Sequence, residues 1–86
     1  MEAVIQDRKA NPRPDSYTCK LFDAGLPRIL RKVGEEAVET IVAAQSEGDE
    51  RLVSELADLT YHALVLLAAL DLSWADVETE LVRRFG

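Results

Sequence analysis

The sixteen residues ELADLTYHALVLLAAL, positions 55–70, decide the fold. Leu56, Leu59, Ala63, Leu66 and Leu70 recur at intervals of three and four, the period of an α-helix with one apolar side. From Ala63 to Leu70 the helix is apolar all round, so every side of that stretch needs cover. It is too short to cross a bilayer, which takes roughly 20 residues.

Upstream, Leu52 extends the stripe and Asp49 stands where an N-cap belongs. Ser46-Glu47-Gly48 separates this helix from another long one. There Pro27 suits the first turn, and Ile29, Val33, Ala37, Ile41 and Ala44 mark the apolar side. Two long helices joined by so tight a turn predict an antiparallel hairpin. Downstream, Asp71-Leu72 turns the chain, and Ser73-x-x-Asp76 has the spacing of a capping box that opens a last helix through Val77, Leu81 and Val82. Before the hairpin, Ser16 caps a short helix from Tyr17 to about Ala24, ended by Gly25. Asn11-Pro12-Arg13-Pro14-Asp15 cannot continue a helix begun over residues 1–10, so residues 1–15 read as a mobile or substrate-covering arm. Nothing alternates like a strand. The fold class expected is all-α, a helical hairpin plus shorter helices in a single domain over 1–86.

A chain of 86 residues buries only about 60–65% of the surface that its unfolded form exposes. That is too little to cover the all-apolar stretch, so homodimerisation into a four-helix-type bundle is expected. Composition is that of a folded globular protein, 48% hydrophobic and 30% charged. A formal charge of −6 disfavours nucleic acid and anionic membrane as partners. A phosphorylated small molecule remains compatible if metal ions reverse the local sign. The lone Cys19 forms no internal disulfide, and the N-terminal Ala3-Val4-Ile5 is too short for a signal-peptide core. Both readings place the protein in the cytoplasm.

Candidate chemistry lies on the hairpin. Lys32, Glu36 and Glu39 share one stripe of the first long helix, and Glu55, Asp58 and His62 share one of the second. Folded antiparallel, the two carboxylate pairs come level and converge, an oxygen cluster suited to magnesium. With 16 acidic residues in the chain, such spacing also arises by chance as surface charge. Location favours the metal reading, because Glu55 and Asp58 directly precede the all-apolar stretch, where unpaired charge is costly. A ferritin-like di-iron site fails, since it needs Glu-x-x-His and Leu59 stands three before His62. His62 reads instead as a hydrogen-bonded residue beside Asp58. Gly34, inside a strong helical pattern, is either a tolerated defect or a point where a ligand or another backbone approaches. Arg28, Arg31 and Lys32, with Lys20, Arg13, Lys9 and Arg8 before them, either pair with Glu35 and Glu36 or receive phosphates.

Taken together, Ser16-Tyr17-Thr18, Leu21-Phe22-x-x-Gly25, KVGEEAVE at 32–39 and ELADLTYHALVLL at 55–67 resemble the phosphoribosyl-ATP pyrophosphohydrolases, within the all-α MazG-type nucleotide pyrophosphohydrolases. The resemblance runs from about Arg8 to Arg84. It implies magnesium held by Glu36, Glu39, Glu55 and Asp58, with Glu35 as an extra acid. It also implies hydrolysis of phosphoribosyl-ATP to phosphoribosyl-AMP and pyrophosphate, the second step of histidine biosynthesis. On that reading Glu35 or another unligated carboxylate takes a proton from water, and Lys32 with Arg28 or Lys20 steadies phosphate charge. Tyr61 and His62 are expected to contact substrate. Thr60, where the family usually has an apolar residue, and Pro27 depart from the pattern without touching a ligand. No cyclohydrolase domain is present, so the next pathway step is expected from a separate protein. Two other functions fit the residues: hydrolysis of a different nucleoside triphosphate, and a non-catalytic helical dimerisation module.

Overall fold

The computed structural model describes residues 1–86 as five helices and no strand: α1 (Glu2–Ala10), α2 (Tyr17–Ala24), α3 (Leu26–Ser46), α4 (Asp49–Ala69) and α5 (Trp74–Phe85). The caps explain the boundaries. The Ser16 hydroxyl accepts the Cys19 N–H at the start of α2, and Ser73 with Asp76 forms a complete capping box at the start of α5. Gly25 and Gly48 take φ of +92° and +86°, which side-chain-bearing residues rarely adopt, and these two positions let the chain reverse at each end of α3. Gly48 is also the N-cap of α4. Asp49, expected as the cap, is instead the first helical residue, where its charge and that of Glu50 meet the positive end of the helix dipole.

The hairpin forms as expected, with α3 and α4 antiparallel and in extensive contact. On length and composition alone α4 is long and apolar enough to cross a membrane. Here it is the core helix, with Leu64, Val65 and Ala68 buried against Ile5, Leu21 and Ile29. These three neighbours come from α1, α2 and α3, so the chain itself covers much of the Ala63–Leu70 stretch. Cover is incomplete, because Ala63, Leu66, Leu67 and Ala69 stay partly exposed. Only Leu70 at its end is half exposed.

The N-terminal segment also departs from its reading as a mobile arm. Ile5 is fully buried, and both ends of α1 are tied to residues far along the chain. The Trp74 N–H donates to the Glu2 carboxylate at 2.6 Å. Lys9 donates to the Ala68 carbonyl and the Asp71 carboxylate, each at 2.7 Å, closing the C-terminal end of α4. Past α1, the Arg13 N–H donates to the Cys19 sulfur, and the Cys19 thiol donates to the Arg8 carbonyl. The prolines break the helix where expected, but the tertiary bonds hold both sides of the break.

The chain leaves a large apolar surface uncovered. On α3, Leu30, Val38 and Ile41 are exposed along one stripe, with Gly34 between Leu30 and Val38, and Val42 lies beside it. On α4, Val53 and Leu56 are also exposed. Helix α5 buries no residue, and its Leu81, Val82 and Phe85 face solvent.

Candidate functional site

Antiparallel packing of α3 on α4 gathers Glu36, Glu39 and Glu55, one oxygen of each lying within 4.8 Å of the others. Glu36 and Glu55 are only 5% and 4% exposed, and the Oε2 atom of each is buried with no hydrogen-bond partner. An unpaired buried polar group costs about 1–3 kcal/mol, and more when charged. The other oxygen of each carboxylate meets a cation one turn earlier on its own helix. Lys32 Nζ lies 3.4 Å from Glu36 Oε1, and Arg51 Nη2 lies 2.5 Å from Glu55 Oε1. Glu39 is exposed beside them. Close approach of the Glu55 carboxylate and then of Glu36, with like-charge repulsion from both, holds its carboxyl above the usual 4.5. The space between the three acids is therefore lined by oxygens that call for a proton or a hard cation. The donor set is all oxygen, which fits magnesium or manganese better than a softer metal.

A cavity of about 250 Å³ opens beside these acids, lined by Val38, Glu39, Val42, Glu47, Arg51 and Glu55. Lys32 sits at the opposite end of the cluster, because α3 runs towards the hairpin turn and α4 runs away from it. Its side chain is 21% exposed. Burial disfavours its charge, but the pull of Tyr17, Glu36 and Glu35 outweighs that and raises its pKa above the usual lysine value. Glu35 lies on the outer flank, paired with Lys32 at 3.5 Å and Arg31 at 3.7 Å, outside the three-acid group. Arg28 and Lys20 are exposed and make no ion pair.

Asp58 is exposed and its carboxylate does not join the three acids. Its main-chain carbonyl accepts a hydrogen bond from His62 Nδ1 at 2.7 Å. A carbonyl can only accept, so Nδ1 carries the proton, and Nε2 is hydrogen-bonded to the Tyr17 hydroxyl at 3.2 Å. His62 is buried with both ring nitrogens engaged, the hydrogen-bonded residue that the sequence suggested, though Asp58 meets it through the backbone and not the side chain. Tyr61 packs edge-on to His62, ring centroids 5.0 Å apart, and stacks at 6.2 Å on Tyr17. The Thr18 and Tyr61 hydroxyls are hydrogen-bonded, and burial pushes the Tyr61 phenol up. This polar and aromatic joint fixes α2 to α4 next to Lys32.

Sequence reading missed Arg51. Its signal was present, because Arg51-x-x-x-Glu55-x-x-Asp58 repeats the spacing of Lys32-x-x-x-Glu36-x-x-Glu39 on the other helix.

An all-helical chain with a carboxylate cluster inside an antiparallel hairpin is thus defined by its own geometry. The family model for phosphoribosyl-ATP pyrophosphohydrolase matches residues 1–85. A protein named phosphoribosyl-ATP pyrophosphatase from Pyrobaculum calidifontis is 60% identical over 84 residues, covering 98% of this chain and 89% of its own. Proteins of the same name from Lactiplantibacillus plantarum and Clostridium botulinum are 51% and 48% identical over 96% and 94% of this chain and 78% and 74% of their own. The chain belongs to the phosphoribosyl-ATP pyrophosphohydrolase family, and it is an enzyme, a hydrolase.

Proposed function

We propose that the chain hydrolyses phosphoribosyl-ATP to phosphoribosyl-AMP and pyrophosphate, the second step of histidine biosynthesis, as a magnesium-dependent cytoplasmic homodimer. The substrate follows the names of its relatives. The observation that carries the metal requirement is that Glu36 and Glu55, which gather with Glu39, each hold a buried, unpartnered Oε2 atom. Magnesium bound there supplies positive charge to the nucleotide phosphates and lowers the pKa of a coordinated water.

The chain's own residues do the rest. Glu36, Glu39 and Glu55 would hold the ion, and Asp58, exposed one turn beyond Glu55, is the fourth acid proposed to join them. Lys32 is charged at neutral pH, and it donates to phosphate oxygens as negative charge grows on them. Glu35, exposed and one residue from Glu36, accepts the proton of the attacking water. Arg28 and Lys20, free of ion pairs, bind the outlying phosphates. Tyr61 and His62 shape the substrate face next to Lys32 and hold α2 in place.

The exposed stripe of Leu30, Val38 and Ile41 on α3, with exposed Val53 and Leu56 on α4, supports dimerisation through the hairpin, with α5 packing on the partner. Pyrophosphate release from phosphoribosyl-ATP and from simple nucleoside triphosphates, with and without magnesium, tests the reading. Turnover confined to phosphoribosyl-ATP plus magnesium is the expected result.

A further inference from the structure

Arg51 has no place in the scheme above, yet it is the cation paired with the buried Glu55 of the carboxylate cluster. Its Nη2 atom lies 2.5 Å from Glu55 Oε1, and Glu55 is 4% exposed whereas the Arg51 side chain is 57% exposed. The guanidinium thus reaches from solvent onto the rim of the cluster and neutralises one of two buried acids. The hairpin carries the same device twice, Lys32 on Glu36 and Arg51 on Glu55, from opposite ends. The two cations differ in setting. Lys32 is mostly covered, whereas Arg51 projects from the cavity wall it shares with Glu39 and Glu55. Arginine forks onto carboxylate and phosphate equally well, so it can exchange one for the other without losing hydrogen bonds.

We infer that Arg51 is the exchange partner of the divalent ion: it neutralises Glu55 in the metal-free chain, yields to the ion, and then donates to a polyphosphate oxygen of the nucleotide in the adjoining cavity. The inference rests on the metal reading proposed above. Without a cation, two buried carboxylates and Glu39 repel one another, and Arg51 offsets that repulsion on the α4 side. Once an ion occupies the cluster, a guanidinium beside it is repelled, and a triphosphate entering the cavity offers it a multiply charged acceptor in competition with Glu47 on the same wall. The role opposes itself by design, because the contact that steadies the empty site competes with metal and the same group later favours substrate.

Arg51→Met keeps much of the stem and deletes the charge. With manganese(II) as the probe, calorimetric titration should show the variant binding the ion about tenfold more tightly than the parent, a difference of about 1.4 kcal/mol. At saturating manganese its KM for phosphoribosyl-ATP should rise by about tenfold, the reverse direction. A residue that only shapes Glu55 would weaken metal binding when removed, so equal or weaker manganese affinity in the variant overturns the inference. Tighter metal with an unchanged KM overturns its phosphate half. A parent that binds no manganese overturns the metal reading itself, which keeps the two failures distinct. Should the variant not fold without metal, the parent alone decides by nuclear magnetic resonance. Magnesium should release the Arg51 guanidinium, seen as loss of the restricted rotation of its Nη groups, and a signal unmoved at saturating magnesium overturns the exchange.

Discussion

The Lys32 ammonium stands 3.4 Å from Glu36, a carboxylate whose second oxygen is buried and unpaired. An exposed i,i+4 ion pair is worth only a few tenths of a kcal/mol. This lysine is better placed than that, at the mouth of the acidic cluster with its pKa raised. Lys32→Met should cost on the order of a hundredfold in kcat/KM, about 3 kcal/mol, with little change in melting temperature. Steady-state kinetics on phosphoribosyl-ATP decides, and a loss below about fivefold assigns Lys32 to a surface ion pair instead. Because the raised folded pKa lies above the usual 10.5, its contribution is complete below that value and fades only as pH climbs past it. Activity changes between pH 6 and pH 9 should therefore not come from Lys32.

Glu36→Gln and Glu55→Gln each keep the shape of the side chain and remove the anionic oxygen, and each should abolish most activity while the helical fold persists. Asp58→Asn asks whether an acid that lies outside the cluster turns inward when metal is bound. Near-normal turnover of this variant at saturating magnesium would leave Glu36, Glu39 and Glu55 as the whole ligand set.

The raised pKa of Glu39 makes the metal-free protein sensitive to pH in a definite direction. Its folded value lies above the unfolded 4.5, so the folded state binds the proton more tightly. The resulting stability is fully present below about pH 4.5 and is lost as pH rises through the folded value. Glu39→Gln should remove that decline, and magnesium should offset it in the parent by replacing the proton. Melting temperatures across this range, with and without magnesium, check both. A decline that persists unchanged in the variant assigns it to another group.

The proposed dimerisation through the hairpin makes Gly34 informative. A built Cβ at this position meets nothing within 4 Å in the single chain, so Gly34→Ala should stabilise an isolated monomer by about 1 kcal/mol. At a close helix crossing between two copies the same methyl group should instead weaken association. Ile41→Glu, placing a charge on the exposed stripe, should dissociate the dimer. Sedimentation of the parent and both variants distinguishes these, and a parent that stays monomeric at micromolar concentration excludes the dimer.

Helix boundaries were legible because local chemistry sets them: Ser16, Gly25, Pro27, Gly48 and Ser73 each stand within a residue or two of an observed end. The packing of α1 was not, because its partners lie far along the chain. Lys9 reaches Ala68 and Glu2 reaches Trp74, pairs that no periodicity within residues 1–15 can reveal. In the site, the spacing of Glu36, Glu39 and Glu55 carried over directly, since an antiparallel hairpin fixes which residues come level. Asp58 shares that spacing, but helix rotation turns its carboxylate to solvent. Arg51 was written in the same i,i+4 pattern as Lys32 and went unread because it stood apart from the cations clustered before the first carboxylates.

The proposed role of the buried Glu36 and Glu55 oxygens is to hold the divalent ion that phosphoribosyl-ATP hydrolysis requires. It is tested most directly by calorimetric titration of magnesium into the parent and into Glu55→Gln, paired with pyrophosphate release from phosphoribosyl-ATP on the same samples. The expected result is saturable binding and magnesium-dependent release by the parent, with both lost in the variant. Undiminished release by Glu55→Gln, or release by the parent in the presence of a chelator, would contradict it.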